Sequence, residues 1–113
     1  MTAQVVERKM YQSGERIFKE GDEGLFAYLV QSGNVEIYRE ATEEVLVTVG
    51  PGGIFGEMAL IDGKPRVASA RSSGGCTVVV INRANFMQRM KKSDLFIQGL
   101  LKILAETVRR NNT

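Results

Sequence analysis

The residues best suited to chemistry lie in one stretch, FGEMALIDGKPRVAS at positions 55–69. Glycines, Gly56 among them, precede a short helix-like segment whose free N–H groups suit an anion. Arg66 adds a planar, two-pronged donor that matches two phosphate oxygens. Glu57 would repel phosphate, but its carboxylate can accept a hydrogen bond from a hydroxyl. Phosphate beside hydroxyl describes the ribose phosphate of a nucleotide. The alternative is an ordinary loop, since such residues occur in many loops.

The composition is that of one soluble globular domain spanning residues 1–113. The chain has 113 residues, of which 43% are hydrophobic and 25% charged. It contains no apolar run near the ~18 residues that a membrane span needs, and its N-terminus lacks an apolar signal-peptide core. Cys76 is the single cysteine, so no internal disulfide can form. We therefore expect a cytoplasmic protein with no membrane span.

The sequence contains no histidine. This removes the commonest general base and metal ligand. With one cysteine and no histidine, neither a zinc site nor a familiar nucleophile–base pair can be assembled. We expect no metal and no enzyme activity, although carboxylate or lysine chemistry stays open.

The charges are divided unevenly, with most acidic residues before position 63 and most basic residues after it. A basic C-terminal half could face nucleic acid or acidic lipid, or could form the solvated faces of helices. No helix-turn-helix follows the final predicted helix, so we expect no direct DNA binding by this chain.

Short strand-like segments dominate up to position 81. Glycine-rich turn signals separate them, notably at 32–34 and 72–75, and this pattern is typical of a barrel or a double-sheet jelly roll over about residues 5–81. The predicted strands cover residues 7–11, 16–19, 25–31, 35–39, 45–49, 67–71 and 76–81.

The last thirty residues change to a helical period and predict two helices within about 83–110. Asn82 is an expected N-cap for residues 84–92, and Ser93 for residues 94–110. The second helix has a broad apolar face, which we expect to cover the barrel mouth. Surplus apolar surface on it could pair with a second copy as a homodimer.

The central stretch resembles the phosphate-binding cassette of cyclic nucleotide-binding domains. FGEMAL, five residues and then RVA match the cassette pattern F-G-E-aliphatic-A-L, a variable turn and R-x-A. The segments GERIFKEGDEG and LFAYLVQSGNVEIY extend the resemblance over nearly the whole chain. It implies a mainly β fold, an eight-stranded antiparallel jelly roll with flanking helices, that binds cAMP or cGMP and moves its C-terminal helix.

The resemblance also implies roles for individual residues. Glu57, with Gly56 beside it, corresponds to the cassette residue that accepts the ribose 2′-hydroxyl. Arg66 corresponds to the arginine that pairs with the cyclic phosphate. The backbone N–H groups of Gly56, Ala59 and Val67 correspond to further phosphate contacts.

The base should pack on apolar barrel residues, with Ile37, Leu46 and Val49 as candidates. For each of them, an ordinary place in the core is an equal alternative. Val67 departs from the Ser, Thr or Ala that is usual after the arginine. A threonine there often accompanies cGMP preference, so Val67 favours cAMP as the ligand, with cGMP second.

Three functions remain open. The first is a cAMP-binding regulatory domain that acts, through its C-terminal helix, on an unknown effector protein or a missing adjoining domain. The second is a binding-silent scaffold that docks a partner through that helix. The third is an unrecognised enzyme. Glu57 and Arg66 favour the first, and the absence of histidine disfavours the third.

Overall fold

The computed structural model describes residues 7–86 and Arg109, and these residues form a mainly β structure, as predicted. Aromatic and β-branched residues fill most of the strands, while glycines and acidic residues fill the turns between them. The elements, in chain order, are β1 (Glu7–Tyr11), β2 (Arg16–Phe18), β3 (Phe26–Tyr38), β4 (Val45–Val49), β5 (Ile54–Phe55), α1 (Met58–Asp62) and β6 (Ser69–Asn82).

The strands form one antiparallel sheet in the order β1-β6-β3-β4. Strands β3 and β6 are its spine and pair along their whole length, from Phe26 opposite Asn82 to Tyr38 opposite Ser69. Strand β2 adds to β6, and β5 adds to β3. The short β5 therefore attaches the segment that leads into α1 to the middle of the sheet.

The prediction of turns at 32–34 and 72–75 is wrong, because both segments are bends within long strands. Gly33 has φ +78° and lies opposite Cys76, and the register shifts on either side of it. Gly74 and Gly75 also have positive φ, at +76° and +93°. A Cβ on Gly33 would collide with the Gly75 carbonyl, so this close approach requires glycine.

The strand count also differs from the eight expected, since residues 7–86 contain six strands. Each spine strand covers what the sequence pattern divides into two. The strand expected at 67–71 begins only at Ser69, because Val67 lies in the connection that follows Arg66.

The core lies on one face of the bent spine. Fully buried valines from β3 and β6 (Val30, Val35 and Val78) pack with Tyr28 and Phe55. The lone cysteine, Cys76, belongs to the same cluster and is a buried free thiol. This core fixes the position of β5 and hence of the chain that follows it.

The predicted helical region begins as expected. Residues 83–86 are helical, and Asn82 Oδ1 accepts a hydrogen bond from the Asn85 N–H at 2.8 Å, which is the geometry of an N-cap. The remainder of the helix at 84–92, and the helix at 94–110 except Arg109, lie outside the described residues. No helix within the described segment 7–86 has the length and apolar character needed to cross a membrane.

Candidate functional site

The short helix α1 forms where the sequence predicts it, after Gly56 and the N-cap residue Glu57. Gly56 has φ +80°, a conformation that turns the chain from β5 towards the helix at no steric cost to glycine. Ala59 and Leu60 are buried, so one side of α1 packs against the rest of the structure. Gly63 ends it in the left-handed region, with its N–H donating to the Ala59 carbonyl at 2.9 Å.

Arg66 returns from the turn after α1 and is only 6% exposed. Its backbone is tied to the turn between β2 and β3, since its N–H donates to the Asp22 carbonyl at 2.8 Å and its carbonyl accepts from the Gly21 N–H at 2.9 Å. Its side chain runs inwards. One terminal nitrogen donates to the Gly56 carbonyl and the other to the Phe26 carbonyl, both at 2.6 Å. The guanidinium is therefore fixed at the start of α1.

The guanidinium of Arg66 lacks a carboxylate partner among the described residues. The Phe18 ring lies 4.0 Å from its Cζ, and its buried Nε has no hydrogen-bond partner within the part of the chain that the structure describes. Burial lowers the pKa of Arg66, while the nearby Tyr28 and Asp22 raise it. A buried cation with an unused donor is costly unless an anion joins it.

Glu57 lies at the other side of the same corner, immediately before α1. Burial raises the pKa of its carboxyl, and a backbone hydrogen bond and the charge of Arg66 oppose that rise. The carboxyl is thus held in a poorly hydrated position in which an incoming hydroxyl is a suitable partner.

These residues line the polar end of a cavity of about 240 Å³. Gly56, Glu57, Ala59, Arg66 and Val67, which the sequence assigned to phosphate and ribose, are all brought together there. The cavity therefore combines a cation, a carboxylate and the amide groups of a helix start within one small volume.

The apolar wall of the cavity contains the three residues that the sequence offered for a base. Ile37, Leu46 and Val49 all line it, and Ile37 and Val49 also pack against the core cluster. Leu46 is 38% exposed, and its neighbours Val47 and Ile54 are 52% and 50% exposed. Exposed aliphatic side chains around a cavity offer contact area to a flat apolar group.

Phe18 and Arg109 are among the cavity residues that sequence reasoning missed. Phe18 comes from β2, and nothing in its local sequence marks it. Arg109 donates to the Asp62 carboxylate and, at 2.6 Å, to the Pro65 carbonyl. It thereby clamps the turn that follows α1. The sequence placed Arg109 only at the end of a helix, because spacing alone cannot show which loop such an end reaches.

Comparison with known proteins agrees with this geometry. The profile of the cyclic nucleotide-binding domain family matches residues 8–93, a range that includes every strand except the start of β1 as well as α1 and Arg66. The chain belongs to the cyclic nucleotide-binding domain family.

Relatives in this family include regulatory proteins. A cyclic AMP receptor protein from Thermus thermophilus is 34% identical over 106 residues, which are 91% of this chain and 49% of the relative. A cAMP-dependent protein kinase regulatory subunit from Emericella nidulans is 42% identical over 76 residues, 67% of this chain and 18% of that subunit. The chain thus spans about half or less of the length of these relatives.

Solved structures show the same fold with nucleotide bound. The cAMP-bound form of the EAL enzyme Bd1971 superposes with a TM-score of 0.85 at 34% identity, covering 94% of this chain and 29% of that one. Its cGMP-bound form superposes with a TM-score of 0.86 at the same identity. The domain therefore also occurs as a minor part of a longer chain named as an enzyme.

Proposed function

We propose that this chain binds cAMP in the cavity between α1, β4 and β5. The observation that carries the proposal is the buried guanidinium of Arg66, whose Nε has no partner among the described residues and which lies with Glu57 at the polar end of an apolar cavity. The cyclic phosphate is a singly charged anion that offers this cation a partner. The backbone N–H groups of Gly56 and Ala59 add donors at the helix start, and that of Val67 adds one directly after Arg66.

Each remaining part of the nucleotide has a matching part of the cavity. The ribose 2′-hydroxyl donates to the Glu57 carboxylate, and Gly56 lies beside the sugar. The base packs on Ile37, Leu46 and Val49, where it covers exposed aliphatic surface. Val67 carries no hydroxyl that could favour guanine. We therefore expect cAMP to be the preferred ligand and cGMP the second.

The binding-silent scaffold is the weaker alternative. In a scaffold the two carbonyl contacts of Arg66 would support the loop, but its charge, which has no carboxylate partner among the described residues, would stay uncompensated. The relatives also support nucleotide binding, since they include a cyclic AMP receptor protein and a regulatory subunit of cAMP-dependent protein kinase, and the two forms of Bd1971 hold cAMP or cGMP.

Regulation completes the proposal. The sheet closes as a jelly roll, two C-terminal helices cover it, and the bound nucleotide repositions the last helix, which acts on an effector protein or adjoining domain. The contact of Arg109 with the turn after α1 supports this coupling, because it joins the predicted last helix to the cassette. In this proposal a second copy pairs through the same helix, and the chain itself carries out no catalysis and binds no DNA.

Isothermal titration of the parent chain with cAMP and cGMP tests the proposal. We expect one saturable site, with cAMP about tenfold tighter than cGMP, which is the scale of one hydrogen bond. A Glu57→Ala variant should lose affinity for cAMP but little for 2′-deoxy-cAMP, which lacks the hydroxyl. Equal losses for both ligands would show that Glu57 holds the loop and does not contact the sugar.

A further inference from the structure

The ring of Phe18 lies on the arginine of the cavity, although the two residues are far apart in the chain. The Cζ of Arg66 is 4.0 Å from the Phe18 ring centroid, well within the ~6 Å at which a cation is attracted to the face of an aromatic ring. The Tyr28 ring is also near, at 6.0 Å. Phe18 itself lines the cavity, so the contact occurs at the proposed ligand site.

Phe18 cannot move freely, because two other aromatic rings hold it. Its centroid lies 6.0 Å from that of Tyr28 and 5.9 Å from that of Phe55. Tyr28 and Phe55 stack on each other at 5.1 Å and are partners across β3 and β5. The ring on the arginine is therefore the outermost member of a packed aromatic group that is anchored in the sheet.

Contacts on several sides restrain the guanidinium of Arg66. Two backbone carbonyls, of Gly56 and Phe26, fix its terminal nitrogens. Gly24 leaves little further room, since a Cβ there would lie 3.2 Å from the Arg66 Cζ. The face of the Phe18 ring supplies a third contact, 4.0 Å from the Arg66 Cζ to the ring centroid. Because a long side chain loses rotamer freedom when it binds, such restraint in advance lowers the cost of meeting a ligand.

We propose that Phe18 is a positioning residue for the ligand phosphate, which acts by holding the Arg66 guanidinium in place at the wall of the cavity. This inference rests on the proposed function, since it deepens the account of the same site. The alternative is that Phe18 only fills the core beside Tyr28 and Phe55. The two roles differ in which ligand contacts depend on the ring. A positioning residue affects only the contact with the phosphate, whereas a core residue supports the whole cavity and so affects the base and ribose contacts as well.

A ligand pair separates these roles. Phe18→Leu keeps an apolar side chain but removes the ring. We expect this variant to bind cAMP about tenfold more weakly, on the scale of a desolvated cation–π contact. Adenosine has the same base and ribose but no phosphate, so its affinity should change less than twofold. Phe18→Tyr keeps the ring and should bind cAMP within threefold of the parent chain.

Val78→Ala is the matched control for lost stability. Val78 is fully buried in the core and does not line the cavity, so its truncation should lower the melting temperature and leave cAMP affinity unchanged. If Phe18→Leu lowers the affinities for cAMP and adenosine equally, or leaves the affinity for cAMP within twofold of the parent, the positioning role is wrong.

A measurement without nucleotide separates failure of this inference from failure of the proposed function. In the ¹⁵N–¹H spectrum, the Nε–H proton of Arg66 should be displaced upfield by the ring and return downfield in Phe18→Leu. If the parent chain binds no cyclic nucleotide, the proposed function is overturned, and positioning of a phosphate falls with it even where the displacement is seen. If the parent binds cAMP but the Nε–H proton shows no displacement, this inference alone is overturned.

Discussion

Truncating Arg66 should damage the site and the fold in separable ways. Its guanidinium donates to the carbonyls of Gly56 and Phe26, at 2.6 Å each, so Arg66→Ala leaves both half-buried acceptors without that donor. It also removes the cation that faces the cavity. The variant should therefore be less stable than the parent and should bind cAMP more weakly.

The magnitudes follow from these contacts. Hydrogen bonds from a charged group contribute roughly 1.5–3 kcal/mol each, so losing two should lower the free energy of unfolding by about 3 kcal/mol or more. Truncating one partner of a desolvated charge pair costs roughly 2–5 kcal/mol of binding free energy. At about 1.4 kcal/mol per tenfold, cAMP affinity should fall by about 30-fold or more.

The assay is isothermal titration at a temperature where thermal denaturation shows the variant to be folded. Arg71→Ala is a matched control, because Arg71 also stacks on an aromatic ring, that of Tyr38 at 4.2 Å, and also donates to acidic side chains, but it does not line the cavity. Arg71→Ala should bind cAMP as the parent does. If folded Arg66→Ala binds cAMP within threefold of the parent, Arg66 does not contact the phosphate.

Three further predictions concern neighbouring positions. Burial holds the pKa of Glu57 above its ordinary value, and the ribose hydroxyl needs the ionised carboxylate as its acceptor. The affinity for cAMP should therefore fall as the pH is lowered through that raised pKa. Binding titrations from neutral to acidic pH should show this fall in the parent chain and a flat profile in Glu57→Gln. Val67→Thr adds a hydroxyl at the phosphate end, and competition binding should show the preference for cAMP over cGMP narrowing; an unchanged ratio would remove Val67 from the account. Gly24→Ala would place a Cβ against Ala59, so the free energy of unfolding should fall by roughly 1–3 kcal/mol and the melting temperature with it. An unchanged melting temperature would mean that the loop relaxes freely.

The polar end of the cavity is the part that the sequence predicts best. Glu57 and Arg66 are separated only by α1 and one turn, so local chain geometry brings them to the same place. Phe18 is different, because it reaches Arg66 only through the pairing of β2 with β6 and the pairing of β3 with β5. Such contacts depend on the whole sheet and leave no local pattern.

The bends in the spine show a second limit of sequence reasoning. Gly33 adopts the positive φ that a hairpin turn needs, and so do Gly74 and Gly75. A bulge within a continuous strand needs the same conformation, so the glycine pattern cannot distinguish the two. Only the pairing of Gly33 with Cys76 across the sheet decides the matter, and that pairing is not local.

The central claim is that cAMP binds at the corner formed by α1 and Arg66, and a site-resolved titration tests it most directly. In the ¹⁵N–¹H spectrum of the parent chain, saturating cAMP should shift the amides of residues 56–59 and of Val67 most, with smaller shifts at Ile37 and Leu46. The amides of β1 should remain where they are, because β1 lies at the far edge of the sheet. An unaltered spectrum at saturating nucleotide, or shifts that are largest in β1, would contradict the account.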